Sequence, residues 1–178
     1  MESYLPDKIQ ELLLYRSLTD EYVSKLCSLF PGSSLIQISP NIPGPDKRIF
    51  PAKELHDAGV EEIRKMVFRE KFKMKDCRKI ENWPFFITFF VVSSDAYQLK
   101  ERCLELEESH PFGRFWDIDV YLCNGGKLSR EIMKHGERIC FLCRDSAKAC
   151  SYEMRHSHEE LVAYIQKKYS DTMKYLGG

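Results

Sequence analysis

The most apolar run of the chain occupies residues 84–92, Pro-Phe-Phe-Ile-Thr-Phe-Phe-Val-Val. Aromatic and β-branched residues of this kind favour a strand, and polar residues do not alternate with the apolar ones. Such a strand has to be covered on both faces, because either face would otherwise expose large apolar side chains to water. The run therefore predicts a central strand of a sheet with packing elements on both sides.

Periodic apolar residues predict helices over 7–30, 52–71 and 95–108. Ser157 and Glu160 have the spacing of a capping box, which predicts a last helix beginning at Ser157. These helices are the elements that can cover the sheet.

The strands are separated by loops with clear turn residues. A short strand over 35–38 runs into residues 40–47, where three prolines and a glycine exclude helix and inner strand. A second strand over 115–121 ends at Asn124-Gly125, a dipeptide typical of hairpin turns. Five basic residues fall within 71–79, and we interpret this run as solvated surface.

Length and composition favour one packed domain, because 178 residues with 43% hydrophobic content suffice for a single core. We predict the α+β class, with residues 1–178 forming a single domain. A small mixed sheet, which includes the strand of Asp117 and Asp119, is expected to be flanked by helices.

Charge gives no reason to expect a nucleic-acid or membrane partner, since 27 basic and 27 acidic residues cancel. No apolar run reaches the length of a membrane span, and the first residues lack the basic-then-apolar pattern of a secretory signal. Seven cysteines, an odd number, suit a reducing compartment better than a disulfide scaffold. We therefore expect a cytoplasmic protein.

Asp117 and Asp119 alternate with Trp116, Ile118 and Val120. On a strand, both carboxylates project from the same face, with their Cα atoms roughly 7 Å apart. The two carboxylates repel each other at this distance. A Mg²⁺ ion between them would relieve the repulsion and hold a phosphate. The alternative is a half-exposed strand with two solvated acids.

Basic residues near this pair suggest a polyphosphate substrate. Arg114 lies three residues before Asp117, and Arg130 follows the hairpin turn. A guanidinium matches phosphate oxygens with two parallel donors. The loop from Asn41 to Lys47 could add backbone amides and an ammonium group, although it lacks the glycine spacing of a P-loop.

Cys140 and Cys143 are separated by two residues, so both thiolates can reach one tetrahedral Zn²⁺. Cys150 and His156 could complete a Cys₃His set. The alternatives are buried thiols without metal, because free cysteine is often a core residue, and redox chemistry. His110 and His156 are candidates for a general base.

Four segments together resemble the holo-citrate lyase synthases, also called apo-citrate lyase phosphoribosyl-dephospho-CoA transferases. They are Asn-Ile-Pro-Gly-Pro-Asp-Lys at 41–47, Pro-Phe-Gly-Arg-Phe-Trp-Asp-Ile-Asp-Val at 111–120, Leu-Ser-Arg at 128–130, and Arg-Ile-Cys-Phe-Leu-Cys at 138–143 with Cys150 and Arg-His-Ser at 155–157. The resemblance follows the chain in order over most of its length. In the first helix only Arg16 matches the family, so we leave that helix out of the predicted site.

The resemblance implies transfer of the 2′-(5″-phosphoribosyl)-3′-dephospho-CoA group from its triphosphate precursor, 2′-(5″-triphosphoribosyl)-3′-dephospho-CoA. The acceptor would be a serine of the acyl carrier (γ) subunit of citrate lyase, and pyrophosphate would be released. Asp117 and Asp119 would act as catalytic Mg²⁺ ligands. The substrate would be bound by residues in family-like positions: Asn41, Gly44, Lys47, Arg114, Arg130, Arg138, Arg155 and His156.

Two other functions are compatible with the same residues. A general Mg²⁺-dependent nucleotidyltransferase with another acceptor would also use the Asp-Ile-Asp-Val strand. A non-catalytic zinc-binding interaction module would use only the cysteines and His156.

Overall fold

A computed structural model of the chain describes residues 4–176, with the side chains of residues 8–175. The helices are α1 (Tyr4–Leu29), α2 (Ala52–Arg69), α3 (Ala96–Ser109), α4 (Ala147–Tyr152) and α5 (His158–Leu176). The strands are β1 (Ser34–Pro40), β2 (Lys73–Ile80), β3 (Ile87–Ser93), β4 (Trp116–Leu122) and β5 (Gly126–Leu128). None of the helices in this part of the chain has the length and apolar character needed to cross a membrane.

The five strands form one sheet in the order β2-β3-β1-β4-β5, and every pairing among them is antiparallel. The α+β prediction is confirmed, but the sheet is antiparallel and not mixed. β1 and β2 run in the same direction, yet β3 lies between them, so these parallel strands are not neighbours. From β1 to β4 the elements follow the order β-α-β-β-α-β, which is the ferredoxin-like arrangement.

β3 contains most of the apolar run predicted as a central strand, and it pairs with β1 on one edge and β2 on the other. Residues 87–92 are all buried. β2 coincides with the basic run, which the charge pattern identified as surface but not as strand. It is an edge strand with a register shift between Met74 and Asp76, and most of its side chains remain exposed or half-buried.

The two faces of the sheet have different roles. α2 and α3 pack on the apolar face, where the indole Nε1 of Trp116 donates a hydrogen bond of 2.8 Å to the carbonyl oxygen of Leu55. On the opposite face, Val23 and Leu26 of α1 pack over the β1–β3 region. This second face also carries polar side chains from β1 and β4, and these form the site described below.

The predicted capping box begins the last helix as expected. The amide of Ser157 donates to Glu160 Oε2 at 2.8 Å, and the amide of Glu160 donates to Ser157 Oγ at 3.1 Å. Ile165 of this helix is buried in the core. The capping residues therefore fix the point at which α5 begins.

Gly113 allows the turn before β4 to touch the end of α3. A Cβ at this position would lie 2.3 Å from the carbonyl oxygen of Leu106 and 2.5 Å from that of Glu107. Because backbone atoms cannot move aside, Gly113→Ala should lower the free energy of unfolding by about 3 kcal/mol, the upper range for overpacking. Gly136→Ala is the control, since a Cβ there meets nothing within 4 Å. Urea unfolding measures both, and equal stability of the two variants would contradict the close contact.

Candidate active site

β1 and β4 place the predicted metal ligands on the second face of the sheet. Asp117 pairs with Ser39 and Asp119 with Gln37 across the two strands. Both carboxylates line the same cavity, as the spacing predicted. The side chain of Asp119 is only 12% exposed, whereas that of Asp117 is 50% exposed, so Asp119 lies deeper in the site.

Two basic side chains partly balance these acids. Lys127 Nζ lies 2.6 Å from Oδ2 of Asp119, and Arg138 Nη1 lies 3.2 Å from Oδ1 of Asp117. Burial raises the pKa of Asp119, the negative charge of Asp117 raises it further, and Lys127 opposes the shift. Two hard carboxylate oxygens that repel each other on one polar surface fit the ligand preference of Mg²⁺.

The cavity that contains the two acids has a volume of about 380 Å³ and extends from the sheet to α1. α1 contributes Arg16 to its lining, and the loop after β1 contributes Lys47. Among the side chains that the structure describes, neither cation has a carboxylate within ion-pair distance. The cavity therefore combines carboxylates with cations, and its lining also includes Asp20 of α1.

Lys47 is held in the loop by a hydrogen bond that its ammonium group donates to the carbonyl oxygen of Ile42. Burial lowers the pKa of Lys47 to about 8, the charge of Arg16 lowers it as well, and Asp117 opposes the shift. An anion bound beside Lys47 would favour its charged form and would offset the repulsion between the positive charges of Lys47 and Arg16. Arg16 and Lys47 are thus suited to bind a phosphate in the cavity that Asp117 and Asp119 also line.

A larger cavity of about 610 Å³ adjoins the first and shares Asn41, Ile42 and Lys47 with it. Further residues predicted to bind substrate line this second cavity: Gly44, Arg114, Arg130, Arg138 and His156. Its wall also includes apolar side chains such as Phe141 and Leu161. The structure therefore brings together every predicted substrate-binding residue except Arg155.

Glu107, at the end of α3, fixes two of these arginines. Its side chain is 4% exposed, and Oε2 lies 2.7 Å from Nη1 of Arg130, while Oε1 accepts hydrogen bonds from Arg138 and from the amide of Ile118. Burial raises the pKa of Glu107, and Arg138 is the main opposing influence. Because a buried carboxylate needs such partners, Glu107 holds both guanidinium groups at the edge of the larger cavity.

Arg114 contacts the segment that closes the same cavity. Its guanidinium donates hydrogen bonds to the carbonyl oxygens of Ile139 and Cys140, and it lies 5.5 Å from the ring centroid of Phe141. In this conformation Arg114 joins the turn before β4 to the segment that begins at Arg138.

A predicted substrate-binding residue and a candidate general base lie outside both cavities. Arg155 pairs with Asp145 and Glu153 on an exposed surface. His110 stacks on Trp116, with 4.6 Å between the ring centroids, on the core side of the sheet. Neither residue is close enough to the carboxylate pair to line its cavity.

Sequence reasoning missed three residues of the site. Lys127 pairs with Tyr121 across the β4–β5 hairpin, so the register of that hairpin would have placed it beside Asp119. Glu107 lies four residues after the buried Cys103, and a charged residue on a buried helical stripe is a usable signal. Arg16 had only its match to the family pattern, because the packing of α1, which no local pattern shows, brings it to the cavity.

The four candidate zinc ligands also come together. Their thiol sulfur and imidazole nitrogen atoms all lie within 4.8 Å of one another, and they belong to Cys140, Cys143, Cys150 and His156. Three of these residues also line the larger cavity: Cys140, Cys150 and His156.

Comparison with known proteins agrees with the resemblance seen in the sequence. A family model described as apo-citrate lyase phosphoribosyl-dephospho-CoA transferase matches residues 7–172. Protein CitXG of Leuconostoc mesenteroides subsp. cremoris is 29% identical over 160 residues, 89% of this chain and 34% of that protein. The chain thus spans about a third of the length of that relative.

Shorter relatives match over most of their own length. A probable apo-citrate lyase phosphoribosyl-dephospho-CoA transferase of Vibrio cholerae serotype O1 is 29% identical over 138 residues, 77% of this chain and 78% of that protein. The apo-citrate lyase phosphoribosyl-dephospho-CoA transferase of Escherichia coli O1:K1 / APEC is 28% identical over 137 residues, 77% and 75% of the two chains. Since the family model covers nearly the whole chain, this protein belongs to the apo-citrate lyase phosphoribosyl-dephospho-CoA transferase family.

Proposed function

We propose that this protein transfers the 2′-(5″-phosphoribosyl)-3′-dephospho-CoA group from its triphosphate precursor to a serine of the acyl carrier (γ) subunit of citrate lyase. The serine oxygen attacks the α-phosphorus of the precursor and forms a phosphodiester bond. The bond between the α-phosphorus and the bridging oxygen breaks, and pyrophosphate leaves with the electron pair. The hydroxyl proton is released to a base or to solvent.

One arrangement carries this proposal. Asp117 and Asp119 line one cavity together with Arg16 and Lys47, in a chain whose relatives are named as phosphoribosyl-dephospho-CoA transferases. A phosphoryl transfer from a triphosphate needs both kinds of group, because the acids hold a divalent ion and the cations stabilise the leaving pyrophosphate. All seven cysteines are free thiols, which supports a cytoplasmic setting.

Asp117 and Asp119 are the residues that would hold Mg²⁺. When bound, this ion supplies Lewis-acid stabilisation of the negative charge on the phosphoryl oxygens. Lys127 orients the deeper carboxylate, that of Asp119, and its charge favours the ionised form that binds a cation. Arg138 does not depend on Asp117 for its position, because Glu107 also holds it.

The two adjoining cavities suit two parts of the precursor. Arg16 and Lys47 bind the triphosphate in the smaller cavity, next to the carboxylates. The larger cavity, whose volume falls in the usual range for ligand sites, accommodates the dephospho-CoA part. Its lining suits this part because guanidinium groups and the Phe141 ring can bind phosphate and adenine respectively.

Removing either acid should stop transfer without unfolding the protein. We expect Asp117→Asn and Asp119→Asn to reduce the transfer rate by at least about 100-fold, because each removes a charged metal ligand. The assay is intact-mass spectrometry of the apo carrier subunit after incubation with precursor and limiting Mg²⁺. The expected mass gain equals the phosphoribosyl-dephospho-CoA group.

Asp171→Asn is the matched control, since Asp171 is exposed on α5 and lies outside both cavities. It should modify the carrier at the wild-type rate. Near wild-type transfer by both site variants at limiting Mg²⁺ would contradict the metal role of the pair.

Lys47 should make precursor capture depend on pH. Below a pH of about 8 its ammonium is charged and attracts the triphosphate, and above this value the charge is lost. At saturating carrier, kcat/KM for the precursor should therefore fall above about pH 8, by up to about tenfold per pH unit. The arginine of Lys47→Arg keeps its charge throughout this pH range, so kcat/KM of this variant should not fall above about pH 8. If kcat/KM of Lys47→Arg fell in the same way above about pH 8, the decrease would have to come from another group.

Arg16→Ala should weaken precursor binding more than it slows the chemical step. A charge-assisted hydrogen bond contributes roughly 1.5–3 kcal/mol, so KM for the precursor should rise by about 10- to 100-fold. Arg69→Ala is the control, because Arg69 is exposed at the end of α2, which packs on the other face of the sheet. Equal KM values for the two variants would remove Arg16 from the phosphate site.

A further inference from the structure

Cys140, Cys143, Cys150 and His156 form a compact cluster of soft ligands beside the larger cavity. Their ligand atoms lie within 4.8 Å of one another, and Cys143 Sγ is 4.0 Å from Cys150 Sγ. In a tetrahedral zinc site, bonds of about 2.3 Å to sulfur and 2.0–2.1 Å to nitrogen separate neighbouring ligand atoms by roughly 3.5–3.8 Å. Small side-chain movements would bring the cluster to this geometry.

The imidazole of His156 provides a second, independent observation. Its Nε2 atom is buried and has no hydrogen-bond partner among the residues described. Buried polar atoms are nearly always paired, so this unpaired nitrogen needs an explanation, and its imidazole lies beside three thiols. A metal ion bound to this nitrogen satisfies it.

The backbone around Cys140 and Cys143 has the shape of a metal-binding turn. The amide of Leu142 approaches Cys140 Sγ at 3.5 Å, as expected for an N–H group that supports a thiolate. Arg144, directly after Cys143, has a φ of +61°, a left-handed conformation that turns the chain back. The amide of Cys140 then donates to the carbonyl oxygen of Asp145 at 2.6 Å, which closes the turn.

This part of the chain has little apolar core of its own. α4 has only six residues, and several large apolar side chains in the region are exposed: Ile132, Ile139, Leu142, Tyr152 and Met154. Segments that bury too little apolar surface are commonly held by metal ions. The cluster would add a bond between three pieces of this region that backbone hydrogen bonds already bring together, namely the turn at 140–143, α4 and the residues before α5.

We propose that Cys140, Cys143, Cys150 and His156 bind one structural Zn²⁺. All four coordination positions come from the protein, which is the arrangement of structural zinc sites and leaves none for a reacting water. Three thiolates and one imidazole favour Zn²⁺ over the oxygen-seeking Mg²⁺. The zinc ion would hold Cys140 in place, and Arg114 donates hydrogen bonds to the carbonyl oxygens of Ile139 and Cys140. The ion would therefore also fix this part of the wall of the larger cavity.

Metal content tests this proposal directly. Protein purified without chelators should contain one zinc per chain by inductively coupled plasma mass spectrometry. Cys150→Ser should contain less than about a tenth of this amount. Cys77→Ser is the matched thiol control, since Cys77 lies on β2, and it should retain zinc fully. Wild-type protein that contains no zinc, even after incubation with Zn²⁺ and removal of the excess, would overturn the proposal.

Cobalt substitution covers the case in which Cys150→Ser fails to fold. Wild-type protein loaded with Co²⁺ should show the intense visible absorption of a tetrahedral thiolate site, and added Zn²⁺ should remove it. His156→Ala should shift these bands, since a water then replaces the imidazole. The weak spectrum of octahedral Co²⁺ in the wild-type protein would exclude the site. These readouts need no transfer assay, so a failure of the proposed transferase function would leave them interpretable.

Discussion

The antiparallel register between β1 and β4 determines where the rest of the site can lie. Ile38 pairs with Ile118, and Gln37 pairs with Asp119. Because side chains alternate along a strand, this register sends the isoleucines into the core and the acid to the opposite face. A slip of one residue would bury both carboxylates and expose Trp116 to water. Core packing and the position of the acidic pair therefore depend on the same set of hydrogen bonds.

Arg130 and Arg138 depend on a second constraint, the burial of Glu107. A carboxylate with 4% exposure has to be paired, and its partners come from three parts of the chain: the amide of Ile118, Arg130 and Arg138. The same contacts thus stabilise the junction of α3 with β4 and hold two guanidinium groups at a cavity. Groups held in this way need little reorganisation when a charged ligand arrives.

Local patterns predicted what is local in this structure. The alternation around Asp117 and Asp119, the capping box of α5 and the apolar β3 run all depend on neighbours within a few residues, and each was predicted. β2 was not predicted as a strand, because its charged composition is disfavoured in strands and only pairing with β3 stabilises it.

Long-range packing explains the other differences. Arg16 reaches the site through the placement of α1 across the sheet, and no periodicity within α1 encodes that placement. The prediction of a mixed sheet failed because sequence does not show that β3 enters between β1 and β2. The resemblance to the family identified the arginines of the larger cavity, but neither Glu107, which also lines it, nor Lys127, which lines the smaller cavity.

The two outer strands bear on how this protein behaves at high concentration. A sheet edge exposes unpaired amide and carbonyl groups that can pair with another molecule. β2 carries lysine and arginine side chains along its length and has a shift in register, while β5 has only three residues. Charge, irregularity and short length each disfavour intermolecular strand pairing. The same basic run that obscured β2 in the sequence thus protects the folded sheet against aggregation.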